Sequence, residues 1–317
     1  MANRPTNITQ RKDLTDYAFA LMQDIEPAMR LANILSPTVP TGGMSGLYNK
    51  FDTTQAFKAY ADAVARRATG AEAQAITFLS DTANYNAQAY GLRISIDQQE
   101  RARAGDAQAL LEQAKTRTLM INCVVSYLNS VVTAIKAAVS AESGKGNWLD
   151  GNTDPIKEIN QVFKAVFLAT GMVPNHVVFD FGAWCVFSDN PQVLKRMPGA
   201  DIAQVSPDRV GKLFVNPNAT VEIVETAVLY GGGLGNSSAT RRGLLGGSVL
   251  VFFNSPMATQ YDPSFCKTFS PSKNLFTEVY SYPQVPHLDW YENDWTCQPV
   301  VVSSSLCKMI DVTGANS

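Results

Sequence analysis

Charged residues, histidines and paired cysteines are all scarce in this sequence. Asp, Glu, Lys and Arg make up 17% of the 317 residues, against roughly 25% in an average globular protein. Subunit interfaces are depleted of charge at their centres, so a charge-poor sequence favours a protein that is largely covered by other chains. A mildly apolar monomer is the alternative that composition leaves open. The net charge of −2 supplies no basic excess for binding phosphates, which disfavours a nucleic-acid-binding module.

The 5 cysteines include no CxxC pair. An odd number of cysteines in a long chain argues against a disulfide framework or a zinc ribbon, and it suits a reducing cytosol. No apolar run approaches the ~20 residues of a membrane span. The polar stretch 1–13 lacks the hydrophobic core of a signal peptide. We therefore expect neither a membrane-spanning segment nor a leader.

Motifs for catalysis and phosphate binding are incomplete. The stretch 42–47 approaches the G-x-S-x-G pattern of serine hydrolases, but Leu47 occupies the position of the last glycine. The glycine-rich stretch 230–236 lacks the Lys-Ser/Thr pair of a phosphate-binding loop, so a mobile surface loop is the simpler interpretation.

Neither of the 2 histidines stands in a pattern that predicts chemistry. His176 follows a Pro-Asn pair at the start of an apolar strand, where a histidine more often caps a turn or packs by its ring. His287 lies near Asp289, Glu292 and Asp294, for which a solvated acidic loop is a simpler interpretation than a cation site. We therefore expect no catalytic residue, no cofactor and no metal.

Several long helices are predicted from apolar residues spaced three and four apart. The pattern over 14–34, interrupted by Pro27, precedes a flexible Pro/Gly-rich segment and is interpreted as an arm rather than part of a core. A second helix is predicted over 52–70. The longest pattern runs over 105–140, which at 1.5 Å per residue gives a spine of roughly 50 Å. A further helix begins after Asp154, an N-cap followed by proline.

A long β-hairpin is predicted over 71–97. Apolar residues alternate with small or polar ones on both sides of a stretch rich in turn formers, 80–86. A lone two-stranded ribbon is marginal in water, and the neighbouring sequence contains no evident partner. The hairpin is therefore predicted to lie on another subunit. Further strands are predicted at 176–181, 219–230 and 248–253, with a flexible loop at 231–247 and extended strands toward the C-terminus.

Taken together, these elements resemble the major capsid proteins of tailed bacteriophages, whose Johnson fold is shared with herpesvirus shell proteins and encapsulins. DPIKEINQVFKAVFLATGMVPNHVVFDFGAWCVFSDNPQV, at 154–193, is similar to the family's peripheral-domain segment, with its proline-led helix, Pro-Asn pair, valine-rich strand and second Asn-Pro. ARRATGAEA (65–73) and AYGLRISI (89–96) resemble its extended loop. GKLFVNPNATVEIVETAVLY (211–230) and GGSVLVFFNSP (246–256) resemble its axial domain.

The resemblance implies an α+β fold in five parts. They are an N-terminal arm (1–47), a helix with the extended β-hairpin loop (48–104), a peripheral domain with the spine helix (105–199), an axial domain (200–262) and return strands of the peripheral domain (263–317). In this family the extended loop lies over a neighbouring subunit, and the axial domain gathers around the five-fold and six-fold centres. The family has no invariant catalytic residue.

The function that the resemblance implies is self-assembly into hexamers and pentamers of an icosahedral capsid. The capsid would enclose double-stranded DNA without sequence-specific binding, in a virion assembled in the host cytoplasm. The expected partners are many copies of the chain, and the resemblance also allows a separate scaffolding protein, a portal and a decoration protein. The residues expected at subunit contacts are Phe78, Leu79, Tyr85, Tyr90, Tyr17, Phe19 and Leu21. Packing inside the same subunit is the alternative for each.

The sequence departs from the family in two respects. Some members join subunits by a Lys–Asn isopeptide bond whose lysine lies on the extended loop, but no lysine occurs between Lys58 and Lys115. A non-covalent shell is therefore expected. Other members begin with a long scaffold domain, whereas only a short arm precedes the first matching helix here, so any scaffold should be a separate protein. The rival functions are an encapsulin-type compartment and, in a different class, a soluble hydrolase that uses the 254–305 region.

Overall fold

The computed structural model describes residues 9–24, 26–50, 66–73, 81–197, 205–230, 240–272, 275–276, 279–283 and 287–315. The helices are α1 (Lys12–Asp24), α2 (Glu26–Leu35), α3 (Gln98–Ala104), α4 (Gln108–Ala138), α5 (Pro155–Thr170), α6 (Phe181–Asp189), α7 (Pro191–Arg196) and α8 (Pro207–Gly211), with 3-10 turns at Gly105–Ala107 and Ser304–Leu306. The predicted helix over 52–70 lies largely outside the described residues.

The strands of the described ranges form two larger sheets and two ribbons. In chain order they are β1 (Thr9–Gln10), β2 (Thr38–Pro40), β3 (Ser45–Asn49), β4 (Thr82–Asn86), β5 (Gln88–Asp97), β6 (His176–Asp180), β7 (Thr220–Val224), β8 (Ala227–Tyr230), β9 (Thr240–Gly243), β10 (Ser248–Phe252), β11 (Cys266–Ser270), β12 (Val279–Pro283), β13 (Leu288–Val301) and β14 (Cys307–Asp311).

The predicted spine helix is confirmed as α4. Its 31 residues correspond to a length of about 46 Å. The stripe formed by Leu119, Val124, Leu128, Val131 and Ile135 is buried and packs on β5 and β13. Gln98–Ala138 is long and apolar enough, by length and composition, to cross a membrane, but half of its most hydrophobic window is buried inside the fold.

The N-terminal helices belong to the largest hydrophobic core. Leu14 and Ala18 of α1, together with Leu31 and Leu35 of α2, are buried in the same cluster as the inner face of α4. Pro27 lies in the first turn of α2, where its missing N–H leaves no helical hydrogen bond unmade. The interpretation of this segment as an arm outside the core is therefore wrong for α1 and α2.

The six-stranded sheet is built around the 14-residue strand β13. β12 pairs with the first part of β13, from Asp289 to Asn293. β11 pairs with its last part, from Gln298 to Val301. On the opposite side, β5 pairs with β13 continuously from Leu288 to Cys297. β2 and β1 extend the sheet beyond β11 and β12.

The strand pairing corrects the predicted hairpin. β4 pairs with β3, and β5 pairs with β13, so these two consecutive strands do not pair with each other. Apolar alternation correctly predicts that 88–97 is extended, but the partner is a strand of the same chain rather than a neighbouring subunit. Residues 74–80, which include the predicted first strand of the hairpin, lie outside the described residues.

The four-stranded sheet has the order β14-β10-β6-β7. Its central strands β10 and β6 are buried on both faces. Val177 and Val249 belong to a second hydrophobic cluster, which contains Phe163, whereas Val178 and Leu250 belong to the largest cluster. Such strands appear in a sequence as continuous apolar runs, which explains why β6 and β10 are predicted correctly.

The same sheet bears on the expected division into domains. The expected division places β6 in a peripheral domain and β7 and β10 in an axial domain, yet β6 pairs with both β7 and β10. One sheet therefore spans the boundary expected at residue 199, and the division into these two parts stays a prediction. The predicted loop at 231–247 also contains a strand, since β9 pairs with β8 to form a ribbon.

Candidate assembly surfaces

The Pro-Asn motif forms a joint between three elements. The Asn175 side chain donates from Nδ2 to the backbone oxygen of Asn254 (2.7 Å) and accepts at Oδ1 from the Asn254 backbone N–H (3.0 Å). The Asn254 side chain then donates from Nδ2 to the backbone oxygen of Ile34, at the end of α2 (2.7 Å). The start of β6, the end of β10 and the last turn of α2 are therefore fixed to one another.

His176 has a packing role in this joint. Its ring stacks on Phe252 with centroids 5.3 Å apart, and burial lowers the pKa of His176 to about 4. The ring is therefore neutral at pH 7, and within the described part of the chain its buried Nδ1 has no hydrogen-bond partner. The ring lines an open cleft of ≈ 470 Å³ beside α2. The expectation that this histidine packs by its ring is confirmed.

Asp180, at the end of β6, holds a backbone turn. Its carboxylate accepts hydrogen bonds from the backbone N–H groups of Leu245 (3.0 Å) and Gly247 (3.1 Å). Burial raises the pKa of Asp180, while these hydrogen bonds act in the opposite direction. A side chain at Gly243 would place its Cβ 2.2 Å from an Asp180 oxygen, so glycine is required there. The Asp180 carboxylate therefore makes its hydrogen bonds to the backbone of this turn, which is a structural role.

The acids near His287 are part of strand β13 rather than a solvated loop. Asp289 forms an ion pair with Arg101 (2.9 Å), and Glu292 accepts a hydrogen bond from the Tyr282 hydroxyl (2.6 Å). Across the described ranges, no group of three or more His, Cys, Asp or Glu residues is placed to hold a metal ion. These side chains therefore hold the sheet together.

The residues predicted at subunit contacts divide into two groups. Tyr85 is 6% exposed and stacks on Phe269 with ring centroids 4.8 Å apart, and Leu21 is also buried. Both are therefore accounted for inside their own subunit, which corrects their assignment as contact residues. Tyr90 is 42% exposed and stacks on Trp295, so one face of its ring remains available.

The other predicted contact residues are less constrained by the structure. Tyr17 on α1 is half-buried, which is compatible with a contact at the edge of an interface. Phe78, Leu79 and the side chain of Phe19 lie outside the described residues. For these four, a role in subunit contact stays a prediction.

Sequence reasoning missed a group of exposed apolar side chains at the end of α5. Phe167, Leu168, Val173 and Val215 are all exposed. The backbone N–H of Val215 donates to the Asn160 side chain on α5 (2.9 Å), which holds this turn against the helix. Isolated apolar side chains are normal on a surface, but grouped ones mark interaction sites.

A second missed group lies on the loop between β10 and β11 and on the adjacent ribbon. Met257 and Tyr261 of the loop are 79% and 77% exposed, and Met44 and Leu47 of the ribbon segment are exposed as well. The sequence contains one signal for this site. The stretch 253–261 carries no charged residue although its Asn, Ser and Pro predict an exposed turn.

The fold has relatives among solved structures. No family model matches the sequence, and no curated protein matches it. The chain aligns over 98% of its length with 99% of a phage-related protein from Bordetella bronchiseptica RB50, at a TM-score of 0.70 and 15% identity. A second similar structure is described as a prophage capsid protein from E. coli CFT073. The alignment covers 97% of this chain and 100% of that one, with a TM-score of 0.54 and 10% identity.

A third similar structure is the SrpI encapsulin complex of Synechococcus elongatus PCC 7942. The alignment covers 100% of this chain and 94% of that one, with a TM-score of 0.51 and 10% identity. This chain has the capsid-protein fold. The α+β Johnson fold expected from the sequence is thereby confirmed.

Proposed function

We propose that this chain is a shell subunit that assembles into the hexamers and pentamers of an icosahedral viral capsid around double-stranded DNA. The observation that carries the proposal is the likeness in fold to a prophage capsid protein over almost the full length of both chains. The likeness extends through both larger sheets and the spine helix rather than being confined to one supersecondary motif.

The surface of the subunit supports this proposal. Exposed apolar side chains occur in separate groups, at the end of α5 and on the β10–β11 loop, so that one subunit can contact several neighbours. Apolar area buried at such contacts contributes roughly 25 cal/mol per Å². Closed point-group symmetry then leaves no contact surface unpaired. A nearly neutral protein also suits the inner surface of a capsid, which encloses DNA without binding it tightly.

Electron microscopy and sedimentation of the purified chain test the proposal. We expect closed particles of uniform size, made of many copies. If they are viral capsids, particles from infected or induced cells should contain nuclease-protected double-stranded DNA. A chain that sediments as a monomer or dimer at all concentrations and ionic strengths would count against any shell function.

An encapsulin-type compartment is the second candidate, and the structural likeness to an encapsulin favours it. The contents of the particle distinguish the two functions. Protein cargo without nucleic acid would indicate a compartment, and packed DNA would indicate a capsid. The soluble hydrolase has less support, because the Nδ1 atom of His287 lies 3.1 Å from the Gln98 side-chain oxygen Oε1 and is therefore paired with an amide. A serine that reacts with an acylating probe in a monomeric chain would revive it.

A further inference from the structure

We propose that residues 254–264, here called the contact loop, form a rigid projection that buries Met257 and Tyr261 against a second copy of this chain. The inference rests on the proposed shell function and deepens it by naming one surface that makes the subunit contact. It is carried by the way in which a buried lysine holds the loop.

The lysine is Lys267, on β11. Its side chain is 1% exposed, although an ammonium group is among the most costly groups to bury. Its Nζ donates to the backbone oxygens of Thr259 (2.8 Å) and Asp262 (2.7 Å), and it lies 3.1 Å from Asp262 Oδ1. All three N–H donors of the ammonium therefore have acceptors, and each acceptor belongs to the contact loop.

Asp262 extends this network within the loop. Its carboxylate accepts hydrogen bonds from the backbone N–H and hydroxyl of Thr259 and from the hydroxyl of Ser264. Burial lowers the pKa of Lys267, and the Asp262 carboxylate counteracts that effect. The loop is therefore held in one conformation by charge-assisted hydrogen bonds, which are stronger than neutral ones.

The rigid loop presents apolar side chains to the outside. Met257 and Tyr261 have the two highest exposed fractions among the exposed large apolar residues of the described chain. Met and Tyr are enriched at protein–protein interfaces, from whose cores charge is depleted, and 253–261 carries no charge. A loop that is already ordered loses little conformational entropy on binding.

The contact loop packs beside the β3–β4 ribbon. Ala258 of the contact loop packs against the cluster that contains Tyr48, Tyr85 and Phe269, beneath the β3–β4 ribbon. Leu47 of that ribbon and Met44 just before it are exposed. Ala258 thus seats the loop beside the ribbon, and the alternation of side chains along a strand places Leu47 on the other face of the ribbon from Tyr48. A second copy of this chain is the occupant that the proposed shell supplies, because every subunit of a shell is surrounded by copies of itself.

Replacing both side chains tests the inference. Subunits are dissociated in mild denaturant and returned to assembly conditions, and light scattering and sedimentation give the lowest concentration at which particles form. We expect the double variant M257S/Y261S to raise this concentration at least about tenfold, which corresponds to roughly 1.4 kcal/mol. The unfolding midpoint of the dissociated subunit should not change, because both side chains are exposed.

Two controls isolate the contact. The conservative variant M257L/Y261F keeps the apolar bulk and should assemble like the wild type. The variant L149S removes an exposed leucine elsewhere and should also assemble normally. If the wild type assembles and M257S/Y261S assembles equally well, this inference fails while the shell function stands. If the wild type itself never assembles, the proposed shell function is refuted, and with it the inference that rests on it.

Discussion

Replacing Asn254 with alanine tests how the N-terminal helices are held in the core. This side chain is 3% exposed. Its Nδ2 donates to the backbone oxygens of Ile34 (2.7 Å) and Leu35 (3.3 Å), and its Oδ1 accepts from the backbone N–H of Phe265 (2.9 Å). Alanine would leave the backbone oxygens of Ile34 and Leu35 without this donor, whereas the Phe265 N–H would keep its bond to the Phe253 backbone oxygen (3.0 Å).

The expected loss is large for a single side chain. Each buried polar group left unsatisfied costs about 1–3 kcal/mol, so the Ile34 and Leu35 carbonyls together predict a loss of roughly 2–6 kcal/mol in the free energy of unfolding. Domains are stable by only about 5–15 kcal/mol. Helices α1 and α2 should then also become accessible to protease before the rest of the chain unfolds.

Urea unfolding of the dissociated subunit, followed by tryptophan fluorescence and circular dichroism, measures the loss. The matched control is Asn218→Ala, at an exposed position in a turn, which should change stability by no more than about 0.5 kcal/mol. A loss for Asn254→Ala that equals the control would refute the reasoning, because it would mean that the hydrogen bonds to α2 and Phe265 contribute nothing net.

Four further outcomes are expected. Burial lowers the pKa of His176 from 6.5 to about 4, so between these pH values the unfolded chain binds a proton that the folded chain does not. The free energy of unfolding should therefore be at its full value above pH 6.5 and fall by at most about 3 kcal/mol as the pH drops to 4. His176→Gln should flatten this pH dependence in urea titrations. Lys267→Met should release the contact loop, so that proteolysis within 254–264 becomes faster than in the wild type; unchanged cleavage would show that the loop is held by something else. Tyr85→Ala should lower the free energy of unfolding by about 3 kcal/mol or more, as for other buried aromatics, through lost packing on Phe269; an effect on assembly alone would restore Tyr85 as a contact residue. Denaturing electrophoresis of particles should give a single monomer band, and a ladder would contradict the non-covalent shell.

Features set by neighbouring residues were predictable from the sequence. Helix α5 begins where Asp154 accepts a hydrogen bond from the Lys157 N–H (3.1 Å). It ends at Gly171, whose φ of 73° is a left-handed conformation that glycine adopts without strain. Both signals lie within a few residues of the boundary that they fix.

Features set by distant residues were not predictable in the same way. The alternation in β5 indicates an extended strand, but nothing in it specifies β13 as the partner. The apolar stripe of α1 indicates a buried face without saying what covers it. Position within the fold, rather than local pattern, decides that Tyr85 is buried and that Met257 and Tyr261 are exposed.

The pairing of β5 with β13 has a consequence for how the chain folds during synthesis. The two strands are about two hundred residues apart in sequence, so the main sheet cannot close until the ribosome has made β13. Pairings this far apart in sequence form slowly, and the part of α4 that packs on β13 stays uncovered in the meantime. We expect nascent chains to depend on chaperones at this stage, and premature termination before β13 to give aggregates rather than smaller folded subunits.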